Sequence, residues 1–163
     1  MPAAPVIANN TPLVALWVLG RLDILRDLYG EVLIPDTVSE EFLAVERGQR
    51  ESALASAPWV VATPLGNPQH VLAYSGLDQG EAAVLALAEE RQAALVIMDE
   101  RKGRRYAQRL GIPVAGTVAV PLLAKERGSL PAVGPSLRAL LDAGLYLAPG
   151  LVAQALKLAG ETD

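Results

Sequence analysis

The chain has no cysteine and a single histidine, His70. Disulfides, iron–sulfur clusters and thiolate zinc sites are therefore excluded, as is any centre built on several histidines. A thiol-free chain fits a reducing compartment, and the cytoplasm is the expected location. Aromatic residues supply only 4% of the 163 positions, so the core has to be filled by Leu, Ala and Val, for which an apolar share of 52% is ample. The apolar runs are all broken well short of membrane-spanning length, and no membrane segment is expected. MPAAPVIANN lacks a basic region followed by a long apolar one, so no signal peptide is expected. An excess of positive charge is missing too. The formal net charge of −4 argues against a protein that coats nucleic acid, yet it leaves room for a local basic patch.

What is present is an alternation of short β-rich runs with helical patterns. Strands are expected at residues 5–9, 32–35, 59–62, 94–98 and 113–115. Helices are expected at 12–19, where Thr11 is a suitable N-cap and Pro12 a suitable first position, and at 22–29, stopped by Gly30. Further helices are expected at 36–47 with Asp36 as cap, and at 49–57, 77–91, 100–110, 117–127, 135–143 and 149–159. Residues 63–76, with Pro64, Gly66, Pro68 and Gly76, form the one long irregular stretch. Such alternation argues for an α/β three-layer sandwich, a central parallel sheet with helices on both faces. No repeat or low-complexity tract interrupts it, and residues 1–163 suit a single domain. A core at about 5–128 would carry a helical C-terminal extension at about 129–163, because residues 128–134 are too short to separate two domains.

Ligands of open parallel sheets bind outside the carboxyl ends of the strands. The polar residues there are Asn9-Asn10-Thr11, Asp99-Glu100 and Gly116-Thr117. Asp99 follows an apolar strand and faces the crevice, although Asp is also a good cap for the helix behind it. Glu81 has flanking alanines that leave room around a carboxylate, but Asp78 and Glu81 also form an Asp-x-x-Glu capping box. Glu40 and Glu41 share one helix, whose buried stripe is expected at Val38, Phe42 and Val45. Glu41 lies beside that stripe and Glu40 points further away. Arg101, Arg105 and Arg109 recur at i, i+4 and i+8 with Lys102 and Arg104 beside them. That face is either a surface offsetting nearby acids or a track for phosphates. His70 is expected at the surface, and Trp17 and Trp59 as core or interface fillers. No GxGxxG or P-loop glycine pattern follows the first strand, which argues against a nucleotide-binding module.

Four segments, VIANNTPLVAL (6–16), EVLIPDTVSEEF (31–42), LDQGEAAVLALA (77–88) and VIMDERKGRRYAQRLGIPVAGT (96–117), together resemble the PIN domain superfamily, in the branch of uncharacterised prokaryotic proteins related to VapC-type toxins. The resemblance covers about residues 5 to 128. It implies a parallel sheet in the order 3-2-1-4-5 and cleavage of RNA, single-stranded in the main, dependent on Mg²⁺ or Mn²⁺. It also implies a small antitoxin protein as partner and pairing into a homodimer. Carried onto this chain, the helix glutamate of the family falls on Glu41, its third acid on Glu81 and the acid after the fourth strand on Asp99. The hydroxyl residue after the last strand falls on Thr117. The acid after the first strand is replaced by Asn9, which offers a neutral carbonyl oxygen where a carboxylate is expected. The metal ligands so implied are Asp99, Glu81 and Asn9, with Glu41 as a fourth catalytic residue. Arg101, Lys102, Arg104, Arg105 and Thr117 would meet the nucleic acid. A site one negative charge short holds a second ion poorly. A catalytically degenerate domain that binds nucleic acid or a partner is therefore the alternative.

Overall fold

The computed structural model describes residues 4–162. Among them five strands, β1 (Val6–Ala8), β2 (Val32–Pro35), β3 (Val60–Thr63), β4 (Leu95–Ile97) and β5 (Val114–Ala115), form one sheet. All pairings are parallel and the order is β3-β2-β1-β4-β5. The expected three-layer α/β architecture and its strand order are both present. Parallel strands covered on both faces should be apolar throughout, and β2 is buried at every position.

The helices are α1 (Asn10–Val18), α2 (Asp23–Tyr29), α3 (Asp36–Leu43), α4 (Arg47–Ala55), α5 (Gln79–Arg91), α6 (Arg101–Arg109), α7 (Ala119–Glu126), α8 (Gly134–Asp142) and α9 (Pro149–Leu158). None is long and apolar enough to cross a membrane. The alanine-rich α5 is buried from Ala82 to Ala88, because the sheet, α3, α6 and a 3₁₀ turn at Pro68–Ala73 all pack on it. Small side chains let so many neighbours approach at once. The main core centres on Ile7, Leu13, Ile34, Phe42, Leu87 and Ile97. A second cluster joins Ala15 and Val118 to Val133, Leu137, Leu140 and Ala155, which fastens α8 and α9 to α1 and the start of α7.

Several boundaries differ from expectation. The helix expected at 36–47 stops at Leu43, since Glu46 adopts a left-handed conformation (φ 49°) that α-helix cannot pass through. Val45 is consequently 55% exposed and does not belong to the buried stripe. The break lets Arg50 fold back from α4, donating from Nη1 to the Phe42 carbonyl at 2.9 Å and lying over the rings of Trp17 and Phe42. Thr11 and Asp36 are not caps: Asn9 and Pro35 occupy those positions, and neither makes a side-chain capping bond. His70 is drawn off the surface, lying between Glu89 and Glu90, with Glu90 also accepting from the Gly66 and Asn67 amides.

The C-terminal helices are tied by one carboxylate. Glu161 accepts from the Val133 and Gly134 amides at 2.7 and 2.8 Å and from Lys125 Nζ at 2.9 Å. Lys125 also donates to the Ala159 carbonyl at 2.6 Å. The Val133 amide, Lys125 and the Gly134 amide hold the Glu161 carboxyl down at about 2, below its ordinary value of 4.5. Because the folded value is depressed, the contribution to stability is complete above the ordinary value and is lost as pH falls from 4.5 towards 2. Hydrogen exchange over α9, normalised for its intrinsic pH dependence, should therefore accelerate across that window in the wild type. In Glu161→Gln it should be fast already at neutral pH. A wild-type α9 equally protected at pH 5 and pH 2.5 would contradict this assignment.

Candidate functional site

Strand order reverses between β1 and β4, so their carboxyl ends lie side by side with helices departing in opposite directions. The pairing of Ala8 with Ile97 is continued by the Asn9 amide, which donates to the Ile97 carbonyl at 3.0 Å. Asn9 is thereby fixed next to the exit of β4. It is 7% exposed, and its side chain is not spent on capping α1. The neighbouring Asn10 carries a buried Oδ1 with no hydrogen-bond partner among the described residues. An oxygen buried without a donor carries a desolvation cost that a bound water or cation would relieve.

Asp99 leaves β4 on the same edge. It does not cap α6, because Glu100 holds the cap position and accepts from the Gly103 amide at 2.7 Å. Asp99 is instead gripped from the end of β5: Thr117 donates its amide to Oδ1 at 2.7 Å and its hydroxyl to Oδ2 at 2.5 Å. The bond pair fixes the carboxylate in orientation while the residue stays exposed to the crevice. Thr117 is 3% exposed, with its hydroxyl turned to Asp99. Gly116 makes the arrangement possible. A Cβ there would lie 2.9 Å from Asp99 Oδ1 and 3.0 Å from Arg104 Nη1.

Glu41 and Glu81 meet at the N-terminus of α5. Asp78 and Glu81 form the capping box reciprocally, Glu81 accepting from the Asp78 amide at 3.0 Å and Asp78 from the Glu81 amide at 2.8 Å. Glu41 reaches in from α3 and lies so close to Gly80 that a Cβ on that glycine would fall 2.2 Å from Oε1. Glu40 is exposed and stays outside. Burial raises the Glu41 carboxyl above its usual range, with repulsion from Asp78 and Glu81 adding and the Gly80 amide opposing. Glu81 is raised as well, by burial first, with Asp78 and Glu100 contributing repulsion. The acids that interact are thus Glu41, Asp78, Glu81 and Glu100. Glu100 and Asp78 were not among the residues expected from sequence, where adjacency to Asp99 and the capping-box pattern were the only hints. Among the described residues, no three His, Asp or Glu side chains converge closely enough to hold a metal ion as they stand.

The basic residues of α6 divide. Arg101, Arg104 and Arg105 line a groove of about 980 Å³ that begins at Asp99. Arg104 is steadied by donating to the Met98 carbonyl at 3.4 Å, and none of the three forms an ion pair among the described residues. Lys102 turns the other way and lies over Gly76, where a Cβ would meet its Nζ at 1.9 Å. The opposite wall of the groove comes from Tyr146, Leu151 and Leu158, which sequence periodicity had not connected with the site.

Residues 5–161 match a family model whose description is PIN domain. The match runs past residue 128, where the sequence resemblance ends, and takes in α8 and α9. No curated protein matches the chain.

The raised acids carry a stability consequence. A carboxyl whose folded value lies above its ordinary 4.5 binds more protons folded than unfolded, so stability falls as pH rises through and above 4.5. Glu41→Gln should melt higher than the wild type at pH 8, by about 1–3 °C, and the gap should close at pH 4. A variant that melts lower at pH 8 would mean that the positive end of α5 outweighs the repulsion.

Proposed function

The chain belongs to the PIN domain family, and on that premise we propose that it is a ribonuclease-type hydrolase of single-stranded RNA, dependent on Mg²⁺ or Mn²⁺. The supporting observation is the juxtaposition of Asn9 and the Thr117-clamped Asp99 at the strand-order reversal, opening onto unpaired arginines. The domain is taken as one unit over residues 1–163, with 129–163 built into it.

The donor set supports one hard cation and no more. Asn9, Asp99 and Glu81 offer oxygen, the ligand such ions prefer, and the next residue, Asn10, carries a buried Oδ1 without a partner among the described residues. Three converging acids, which a pair of ions would need, are lacking among the described residues. Asp99, Asn9 and Glu81 would hold the ion, in part through water. When bound, it would polarise a phosphate oxygen and acidify water.

The remaining work falls to the chain. Arg101, Arg104 and Arg105 draw the phosphate backbone to Asp99 by charge and fork-like hydrogen bonding, and Lys102 adds to the local positive field. Glu41, made more basic by burial and by repulsion from Asp78 and Glu81, accepts the proton of the attacking water. Water adds across a P–O bond and the leaving oxygen takes a proton from solvent. Thr117 keeps Asp99 in one rotamer throughout. A small antitoxin protein that occludes the site, and pairing into a homodimer, complete the proposal for a cytoplasmic enzyme.

A second reading is favoured by the absence of three converging acids: a degenerate domain that retains binding and has lost hydrolysis. Incubation with a generic single-stranded RNA and Mn²⁺ separates the two. The ribonuclease predicts slow cleavage that Asp99→Ala abolishes. It also predicts Mn²⁺ affinity, by calorimetry, that Asn9→Asp tightens about tenfold, the effect of roughly 1.4 kcal/mol from one added charge. Folded wild-type protein that binds RNA, takes up no cation and cleaves nothing would establish the degenerate domain.

A further inference from the structure

The groove that starts at Asp99 has two chemically different walls. One is the α6 face, with Arg101, Arg104 and Arg105 unpaired among the described residues. The other is apolar: Tyr146 before α9 is 85% exposed, and Leu151 and Leu158 on α9 are 44% and 70% exposed. The chain has only seven aromatic residues, and six of them are buried or half-buried. Tyr146 alone presents its ring to solvent, and it does so inside the groove. The wall is also held in place, by Ala155 in the second core cluster and by the Glu161–Lys125 tie. Ordering an apolar surface without covering it brings no folding benefit, which marks it for a ligand.

We infer that α9 and the residue preceding it by a few positions form a nucleobase wall: phosphates run along the arginines while unstacked bases lie against Tyr146, Leu151 and Leu158. This rests on the ribonuclease-type reading and specifies which part of the substrate that site reads. Charge complementarity decides the occupant. A polyanion satisfies the unpaired guanidiniums, and a single strand alone brings an apolar, planar group on every repeat of that polyanion. In a duplex the bases are paired and stacked inwards, so the wall discriminates against double strands. Stacking is tolerant of base identity, so the wall confers strandedness and length preference with little sequence preference.

The test uses the full chain in EDTA, which prevents cleavage, with fluorescein-labelled single-stranded RNA, the same length of abasic sugar–phosphate strand, and duplex RNA, read by anisotropy. Tyr146 is exposed, so its replacement does not endanger the fold. Tyr146→Ala should weaken RNA binding about 5- to 10-fold and leave abasic-strand binding unchanged. Tyr146→Phe should bind like the wild type. The dependence of affinity on salt should keep its slope in both, whereas Arg105→Ala should lower that slope by about 0.7, one phosphate contact on a single strand. Duplex RNA should bind more weakly than single strand to the wild type and equally to Tyr146→Ala. Unchanged RNA affinity in Tyr146→Ala, with Arg105→Ala impaired, overturns the base wall and leaves the ribonuclease-type reading standing. A wild type that binds no RNA overturns that reading and the wall with it. Concentration-dependent self-association that Tyr146→Ala abolishes, with RNA affinity unaltered, assigns the face to a second copy and also overturns the wall.

Discussion

A single backbone hydrogen bond organises the edge of the sheet, that from the Asn9 amide to the Ile97 carbonyl. It carries the β1–β4 pairing one residue beyond the strands, at the point where, among the described residues, strand order reverses. Residues 90 positions apart in sequence become neighbours there without any side-chain interaction between them. The helices then inherit their places. α1 begins at Asn10, α6 begins just after Asp99, and β5 needs only two residues to deliver Thr117 to the Asp99 carboxylate. Side chains refine a site whose position the parallel ladder has already set.

The sheet and its helices were legible because their signals are local. Apolar runs ending in Asn9 and Asp99, Gly30 after α2 and the Asp78/Glu81 box each announce themselves within a few residues. Reading failed where a tertiary contact overrode a local preference. Asp99 is a good capping residue, yet Glu100 takes the cap once Thr117, from another strand, claims Asp99. The helix expected to run from 36 to 47 ends at Leu43, where Glu46 turns left-handed and Arg50, from the next helix, donates to the Phe42 carbonyl. The apolar wall of the groove was out of reach altogether. Tyr146 and Leu151 face α6 only after α8 and α9 pack on Ala15 and Val118, a contact that no periodicity encodes.

Electrostatically the site is divided. Carboxylates crowd the start of α5, where burial, with repulsion from neighbouring acids added, raises Glu41 and Glu81, while arginines that form no ion pair among the described residues line the groove beyond Asp99. An overall charge of −4 conceals this separation. A negative pole thus stands next to a positive channel, and the local field along this edge differs in sign from one end to the other. Asn9, a neutral residue at the meeting point of the two, adds no charge to either side.

The close approach of Glu41 to Gly80 has an implication for how this domain can diverge. Any side chain at 80 needs the space the Glu41 carboxylate fills, so a substitution there is tolerated only after residue 41 has shortened or swung away. The reverse route is open, because a smaller residue at 41 leaves Gly80 undisturbed. Change at this pair is therefore coupled: a side chain at 80 and the present Glu41 rotamer exclude one another, so filling position 80 displaces the carboxylate from the start of α5 even where Glu41 is kept.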